Sequence, residues 1–195
     1  MPYIAPIVEG HGEVEAVPAL LHRIAILAGV EGTLRVNAPI RVKAGSFLRD
    51  HDYFRKQVAL AAAKAAQGGG VVLILLDCED DCPATLGPDL LRRAKAVRGD
   101  VTVIVALAYR EYETWFLTAA RSLRGLRGLP HDLDPPPAPE SIRDAKGWLG
   151  KHMPFGYDPV IHQLEFSRKL DLEQARANPS FNRFYQHIRE LLEGS

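Results

Sequence analysis

The stretch VVLILLDCEDDCP, residues 71–83, decides the fold of this chain because it joins an apolar run to a dense group of acids. Six aliphatic residues in succession, 71–76, are typical of a strand that is buried on both faces of a parallel sheet. Four carboxylates follow within five positions: Asp77, Glu79, Asp80 and Asp81. The segment therefore predicts an α/β sheet with an acidic group at the carboxyl end of one strand.

The rest of the first 120 residues alternates between apolar runs and helical patterns. Further strands are predicted at Tyr3–Val8, Leu34–Val42 and Val101–Leu107, the last of them fully buried. Helices are predicted, from the spacing of their apolar residues, at Glu13–Ala28, Asp50–Gln67, Leu86–Val97 and Glu111–Ala120. This order predicts an open, mainly parallel sheet of about four strands with helices on both sides.

Past residue 120 the character of the sequence changes. Residues 123–139 are rich in Gly, Pro and Arg, which is typical of a loop or lid. Helical patterns return at Glu140–Lys151, Asp171–Ala177 and Ser180–Leu192, and the apolar stripe of the last predicts docking onto the sheet. We therefore predict a core, residues 1–120, and a helical extension, residues 121–195, within one domain.

Composition excludes several classes of protein. A chain of 195 residues that is 47% hydrophobic and 25% charged suits one globular domain and not a disordered or coiled-coil protein. No uncharged stretch approaches the roughly 20 apolar residues of a membrane-spanning helix, and the first residues lack a basic signal-peptide region. Cys78 and Cys82 are too few for a disulfide framework, so we expect buried, reduced thiols and a cytoplasmic protein.

The net charge is zero, with 24 basic and 24 acidic residues, but the charges are segregated. Residues 35–64 carry seven basic and two acidic side chains, and residues 90–110 carry five basic and one acidic. Such blocks are compatible with an acidic pocket inside a basic rim, but charge alone favours ordinary surface scatter. If nucleic acid binds, these two basic segments are the ones that we expect to contact phosphates.

Carboxylates follow three of the predicted strands, at Glu9 and Glu13, at residues 77–81, and at Glu111 and Glu113. Ligands of open parallel sheets bind at the carboxyl ends of the strands. Each acid alone is explained by capping of a helix N-terminus. Together they would repel one another unless a cation neutralises them, and oxygen ligands suit Mg²⁺ or Mn²⁺. The sequence therefore predicts a divalent-metal site at this edge of the sheet.

Five motifs occur in order over nearly the whole chain. They are Glu9-Gly10-x-x-Glu13, Leu-Leu-Asp77-x-Glu79-Asp80-Asp81-Cys82-Pro83, Arg110-Glu111-x-Glu113-x-Trp115-Phe116-Leu117, Lys146-x-Trp148-Leu149 and Ser180-Phe181-x-Arg183-Phe184. Together they resemble the bacterial domain of unknown function family 4276.

The arrangement is also similar to the Toprim domain, the metal-binding module of topoisomerases, primases and OLD-type (overcoming lysogenisation defect) nucleases. The first motif is similar to the E-G-x-[ST]-E form of OLD-type nucleases. Two positions depart from the pattern. Glu79 stands where the second aspartate of a D-x-D usually stands, and Gly12 replaces a small hydroxyl residue.

The resemblance implies Mg²⁺- or Mn²⁺-dependent nuclease chemistry with two ions, acting on DNA or RNA. The metal ligands that it implies are Glu9, Glu13, Asp77, Glu79 and Glu113. The implied catalytic residues are Glu9, Glu13, Asp77 and Lys146, with Glu9 as ligand or general base. Secondary candidates are Asp80, Asp81, Arg110 and Glu111, and Lys146 or Arg110 would offset charge on the phosphate. It also implies an ATPase partner in bacterial defence, since this chain carries no ATPase motif.

Two other functions stay open from the residues alone. A Toprim-like subunit could bind metal, nucleic acid or a partner without cutting, which the Glu79 departure and the zero net charge favour slightly. An aspartate-based phosphatase or phosphoacceptor would use Asp77 as nucleophile, although the D-x-D-x-[TV] run of haloacid-dehalogenase-like phosphatases is missing.

Overall fold

The computed structural model describes residues 3–30, 32 and 34–194. Within these residues, one sheet contains five strands: β1 (Tyr3–Val8), β2 (Arg35–Val36), β3 (Ile40–Arg41), β4 (Val71–Asp77) and β5 (Thr102–Ala108). Every pairing is parallel, the order is β2-β1-β4-β5, and β3 also pairs with β1. The predicted α/β architecture with a mainly parallel sheet is confirmed.

The strand predicted at Leu34–Val42 is wrong as one element, because the structure forms two strands of two residues there. Ile4 of β1 pairs with Val36, whereas Ile7 pairs with Ile40. An advance of three residues along β1 is therefore matched by an advance of four residues from β2 to β3. The extra residue falls beside Pro39, which has no backbone N–H to donate to a ladder. The segment therefore leaves β1 and returns to it one residue out of register.

The described helices are α1 (Glu13–Leu27), α2 (Ala44–Arg49), α3 (His51–Ala66), α4 (Pro83–Val97), α5 (Glu113–Thr118), α6 (Ala145–His152), α7 (Pro159–Lys169), α8 (Leu172–Ala175) and α9 (Pro179–Glu193). Asp50 separates α2 from α3 and caps α3, since its carboxylate accepts hydrogen bonds from the backbone of Asp52 and Tyr53. The helix predicted from Glu140 begins only at Ala145, after its cap Asp144.

Helix α7 was not predicted, and its burial explains why. Its inner face holds Gln163, Phe166 and Ser167, whereas Val160 and Ile161 are exposed. The residues that bury the helix are therefore partly polar, and its apolar residues lie partly outside. A search for apolar residues at helical spacing does not find such a helix.

The side chains of β4 point alternately to two apolar layers. Leu73 and Leu75 belong to a cluster with α1, α5 and the C-terminal helices, whereas Val72 and Ile74 belong to a cluster with α3 and α4. The first cluster contains residues of the predicted core and of the predicted extension, for example Leu21 and Phe184. Helices therefore cover both faces of the sheet, and α9 packs on β5 and α1.

Strand β5 lies at the edge of the sheet, so the prediction that it is fully buried is wrong. Thr102 is exposed, and Ile104, Val105 and Leu107 are half-buried. The cause is topological, since β5 pairs with β4 alone among the described strands. None of the helices in the part of the chain that the structure describes is long and apolar enough to cross a membrane.

Candidate functional site

The carboxyl ends of β1, β4 and β5 lie side by side because these strands are parallel neighbours in the sheet. Glu9 directly follows β1, and Asp77 is the last residue of β4. Glu111 and Glu113 follow β5 after a short turn, in which Thr114 Oγ1 donates to the carbonyl oxygens of Glu111 and Tyr109. Three separate segments thus bring acids to one edge of the sheet.

Glu13 closes the turn between β1 and α1. Its Oε2 accepts a hydrogen bond of 3.1 Å from the backbone N–H of Glu9, and its side chain is buried. Burial raises the pKa of Glu13 to about 7, although hydrogen bonds from the backbone of Glu9 and Gly10 act in the opposite direction. The charges of Glu113 and Glu9 raise the pKa further. Glu13 therefore keeps its proton to a higher pH than an exposed glutamate does.

Glu113 lies in the first turn of α5 and is completely buried. Its Oε1 accepts hydrogen bonds from the Tyr157 hydroxyl at 3.0 Å and from Nε2 of Gln163 at 3.4 Å. Its Oε2 accepts no hydrogen bond from any described residue. Burial raises the pKa of Glu113, the Lys146 ammonium lowers it, and the charge of Glu111 raises it again.

Lys146 reaches from the extension into these acids. Its Nζ lies 3.1 Å from Oε1 of Glu111, 3.3 Å from Oε2 of Glu113 and 3.6 Å from Oδ2 of Asp77. The Lys146 backbone N–H also donates to Oε2 of Glu111 at 3.1 Å, which fixes the start of α6 against the core. Burial lowers the pKa of Lys146, but the three carboxylates outweigh it and raise the pKa overall. The ammonium therefore stays charged.

Asp77 and Glu9 complete the group. Oδ1 of Asp77 accepts a hydrogen bond of 2.8 Å from the backbone N–H of Tyr112. Burial raises the pKa of Asp77 well above its usual range, and the charges of Glu13 and Glu113 add to the effect. Burial also raises the pKa of Glu9, as does the charge of Glu79, and Oε2 of Glu9 has no hydrogen-bond partner among the described atoms.

The remaining predicted residues lie nearer the surface. Glu79, Asp80 and Asp81 are exposed beyond β4. Glu79 is close enough for its charge to act on Glu9, and Asp80 forms an ion pair with Arg110. Asp81 is part of a turn, in which its backbone N–H donates to the carbonyl of Cys78. The structure thus gathers the acids after β1, β4 and β5 with Lys146 and leaves the last two acids of the 77–81 run outside.

Two residues of this site, Tyr157 and Gln163, are not predicted by any sequence motif. Tyr157 and Gln163 hold Glu113 from α7 and the turn before it, a region with no motif. The one sequence signal was the polar pair Gln163 and Ser167, four residues apart and therefore on one helix face. Ser167 hydrogen-bonds the Tyr112 hydroxyl at 2.9 Å, so this polar face is turned toward the site.

Cys78 and Cys82 are both free thiols, so no disulfide joins them. The expectation of buried thiols is confirmed for Cys78 and wrong for Cys82, which is exposed at the residue before α4. The reason is that Cys78 continues the ladder with β5, donating its N–H to the carbonyl of Ala108, whereas Cys82 lies beyond the acidic turn.

The donor set at this edge fits a hard cation. All of its members are carboxylates, and the buried oxygens Oε2 of Glu9 and Oε2 of Glu113 lack hydrogen-bond partners among the described residues. As the described side chains stand, however, no three of His, Cys, Asp and Glu converge as a metal-binding group. Lys146 instead lies among three of the acids. An ion bound by Glu9, Glu13, Asp77 and Glu113 would therefore require these side chains to turn toward it.

A separate groove of about 1030 Å³ runs along the free edge of β5, between α4 and α9. It is mostly apolar, with Leu91, Val105 and Phe184 among its lining residues. None of the acids of the strand-end group lines it. The groove is therefore distinct from the carboxylate site, and no sequence pattern indicates it.

A family model described as Domain of unknown function (DUF4276) matches residues 8–189, which include the acids after β1, β4 and β5 as well as Lys146. The chain belongs to the DUF4276 family. No match to this DUF4276 chain was found among the curated proteins or the solved structures.

Proposed function

We propose that this DUF4276 protein is a Mg²⁺- or Mn²⁺-dependent nuclease of Toprim type that hydrolyses phosphodiester bonds of DNA or RNA. One observation carries the proposal. Glu9, Glu13, Asp77 and Glu113 lie near the ends of neighbouring parallel strands, and the pKa of each is raised. Burial is the largest cause in each, so this group of acids is costly to the folded chain, and a divalent cation would relieve that cost.

The chemistry divides between the ions and the side chains. Ions held by Glu9, Glu13, Asp77 and Glu113, with Glu79 at the rim, would activate water and stabilise the leaving oxygen. The Lys146 ammonium lies where it can offset negative charge on a phosphate. Glu9, half-buried and with no hydrogen-bond partner for Oε2 among the described residues, is either one of these ligands or the general base that accepts a proton.

The test is incubation of the purified protein with supercoiled plasmid, single-stranded DNA and RNA, in Mn²⁺, in Mg²⁺ and in chelator. Asp77→Asn and Glu13→Gln remove one carboxylate each, and Asp81→Asn is the matched control because Asp81 is exposed in the same loop. We expect metal-dependent cleavage that the first two variants lose and the control keeps. Cleavage that persists in chelator, or in Asp77→Asn, contradicts the proposal.

A second candidate function is a non-catalytic subunit that binds a partner protein, such as a defence ATPase. The observation that favours it is the groove along β5. None of the described strands pairs with this edge of β5, and such an edge can accept an extended segment of another chain. Metal binding in a thermal shift assay without cleavage of any substrate would favour this function. A phosphoacceptor function gains support from the Lys146 ammonium beside Asp77, and turnover of a phosphomonoester would indicate it.

A further inference from the structure

Residues 77–80, 110–113 and 143–146 form two groups of contacting side chains, one inside the molecule and one at its surface. The inner group is the carboxylate site, to which they contribute Asp77, the pair Glu111 and Glu113, and Lys146. The outer group lies three residues after Asp77, one before Glu111 and three before Lys146. It consists of Asp80, Arg110 and Arg143. The two groups are therefore built from the same three segments of the backbone.

Both arginines of the outer group contact the same carboxylate. Arg110 Nη1 pairs with Oδ1 of Asp80, and Arg143 Nη1 lies 3.2 Å from each oxygen of Asp80. The Asp80 side chain is 69% exposed and that of Arg143 72%, so this contact is open to solvent. Exposed ion pairs of this kind are weak, and a stronger anion can replace the carboxylate.

Arg110 is largely buried and held by several contacts, whereas the side chains of Asp80 and Arg143 are mostly exposed. Its side chain is only 17% exposed, and Nη1 also donates to the carbonyl oxygen of Glu79 at 3.2 Å. The Arg110 backbone is left-handed, with φ of 66°, and its carbonyl accepts a hydrogen bond from the Glu79 N–H at 3.0 Å. Glu79 is left-handed too, with φ of 45°. Non-glycine residues in this conformation are uncommon and cluster at functional sites.

We propose that Arg110 and Arg143 form a phosphate-binding pair for the substrate backbone, and that Asp80 occupies this pair in the free protein. The inference rests on the proposed nuclease function and extends it to the substrate class. A carboxylate between two guanidinium groups stands in for the two non-bridging oxygens of a phosphodiester, which arginines bind with the same geometry. Binding of substrate would then release Asp80 from the pair.

The position of the pair specifies the kind of substrate. A molecule that contacts both groups needs one phosphate at the carboxylate site and another at the arginines. A polynucleotide strand has such consecutive phosphates, whereas a mononucleotide or a phosphomonoester has not. We therefore infer that the substrate is a strand of several nucleotides and that the arginine pair fixes its register.

The experiment measures binding of a fluorescein-labelled oligothymidine by anisotropy, in chelator so that no cleavage occurs. We expect Asp80→Asn to bind about threefold to tenfold more tightly than the wild type, and Arg143→Ala to bind more weakly by a similar factor. Loss of one phosphate contact in Arg143→Ala should also reduce the slope of log affinity against log salt by about one. Arg110→Lys, which keeps the charge and loses the planar fork, should weaken binding without unfolding the chain.

Asp134→Asn and Arg121→Ala are the matched controls, since these two exposed residues also form an ion pair and lie outside the two basic segments. Each control changes the net charge by the same amount as its test variant, and both should bind like the wild type. An Asp80→Asn variant that binds no more tightly than Asp134→Asn, or an Arg143→Ala variant with unchanged affinity, overturns the proposal. Opposite shifts in the two test variants, without any metal-dependent cleavage, would uphold the phosphate-binding pair and refute the nuclease function.

Discussion

The Nζ of Lys146 lies 3.3 Å from Oε2 of Glu113, and the side chain of Glu113 is completely buried. This contact joins the first turn of α6 to the first turn of α5, so the extension completes the strand-end site of the sheet. The lysine faces Glu111 and Asp77 as well, and one ammonium cannot neutralise three carboxylates. The site therefore keeps an excess of negative charge when no cation is bound.

Metal binding should stabilise the folded protein. We expect Mn²⁺ or Mg²⁺ to raise the Tm of the wild type, since a ligand at a hundred times its Kd adds about 2.7 kcal/mol to the free energy of unfolding. Asp77→Asn removes a central carboxylate and should lose most of the increase, which a chelator should reverse. Differential scanning calorimetry measures the shift in Tm. Asp81→Asn, an exposed control, should respond like the wild type, and an equal response of both variants would place the ion elsewhere.

Lys146→Met should destabilise the metal-free protein because it leaves Glu113 and Asp77 buried without their cation. We expect a loss of about 1–3 kcal/mol at pH 8, below the range for fully buried pairs since Lys146 is 37% exposed. The loss should shrink as the pH is lowered, because burial raises the pKa of both carboxyls, and it should also shrink in the presence of Mg²⁺. Urea unfolding gives these values. Lys151→Met, exposed on the same helix, is the control, and equal effects of the two would refute the charge argument.

The stability of the metal-free protein should fall between about pH 5 and pH 7. Glu13 has a folded pKa of about 7 against 4.5 when unfolded, so the folded state holds a proton that the unfolded state releases. This contribution is fully present below pH 4.5 and is lost as pH rises through 7, at up to about 1.4 kcal/mol per pH unit.

Glu13→Gln should flatten this dependence, because the amide does not titrate. The measurement is urea unfolding in chelator across the same pH range. Glu15→Gln, exposed in the same helical turn, is the control and should keep the wild-type slope. Parallel curves for Glu13→Gln and the wild type would show that Glu13 does not carry the effect.

Gly12→Ala should destabilise the protein because no space exists for a side chain there. A Cβ atom at this position would lie 2.3 Å from the backbone oxygen of Pro159 and 2.2 Å from Oε1 of Gln163. We expect α7 to be displaced, with a loss of about 1–3 kcal/mol in urea unfolding. Gly45→Ala is the control, since nothing lies within 4 Å of its Cβ position and alanine favours a helix. An unchanged free energy of unfolding in Gly12→Ala would show that α7 does not pack on this turn.

The main elements of the fold follow from local patterns. The apolar runs at 3–8 and 71–76 predict parallel strands, and the structure forms β1 and β4 at these positions. Topology then brings Glu9 and Asp77 to one edge, because neighbouring parallel strands end on the same side. The prediction of one strand at Leu34–Val42 is wrong, because the bulge beside Pro39 depends on the register with β1 and not on the pattern of the segment itself.

The sequence by itself therefore determined a parallel α/β sheet with acids at its strand ends, since hydrophobic runs and turn residues act over short distances. Only the tertiary structure decided which acids are buried. Glu113 is enclosed because α7, a helix with a polar inner face, covers it, whereas Asp80 stays at the surface with two arginines. Lys146 reaches the site from 35 positions beyond Glu111. Burial and ion pairing depend on contacts between segments that are distant in the sequence, so local sequence patterns do not predict either of them.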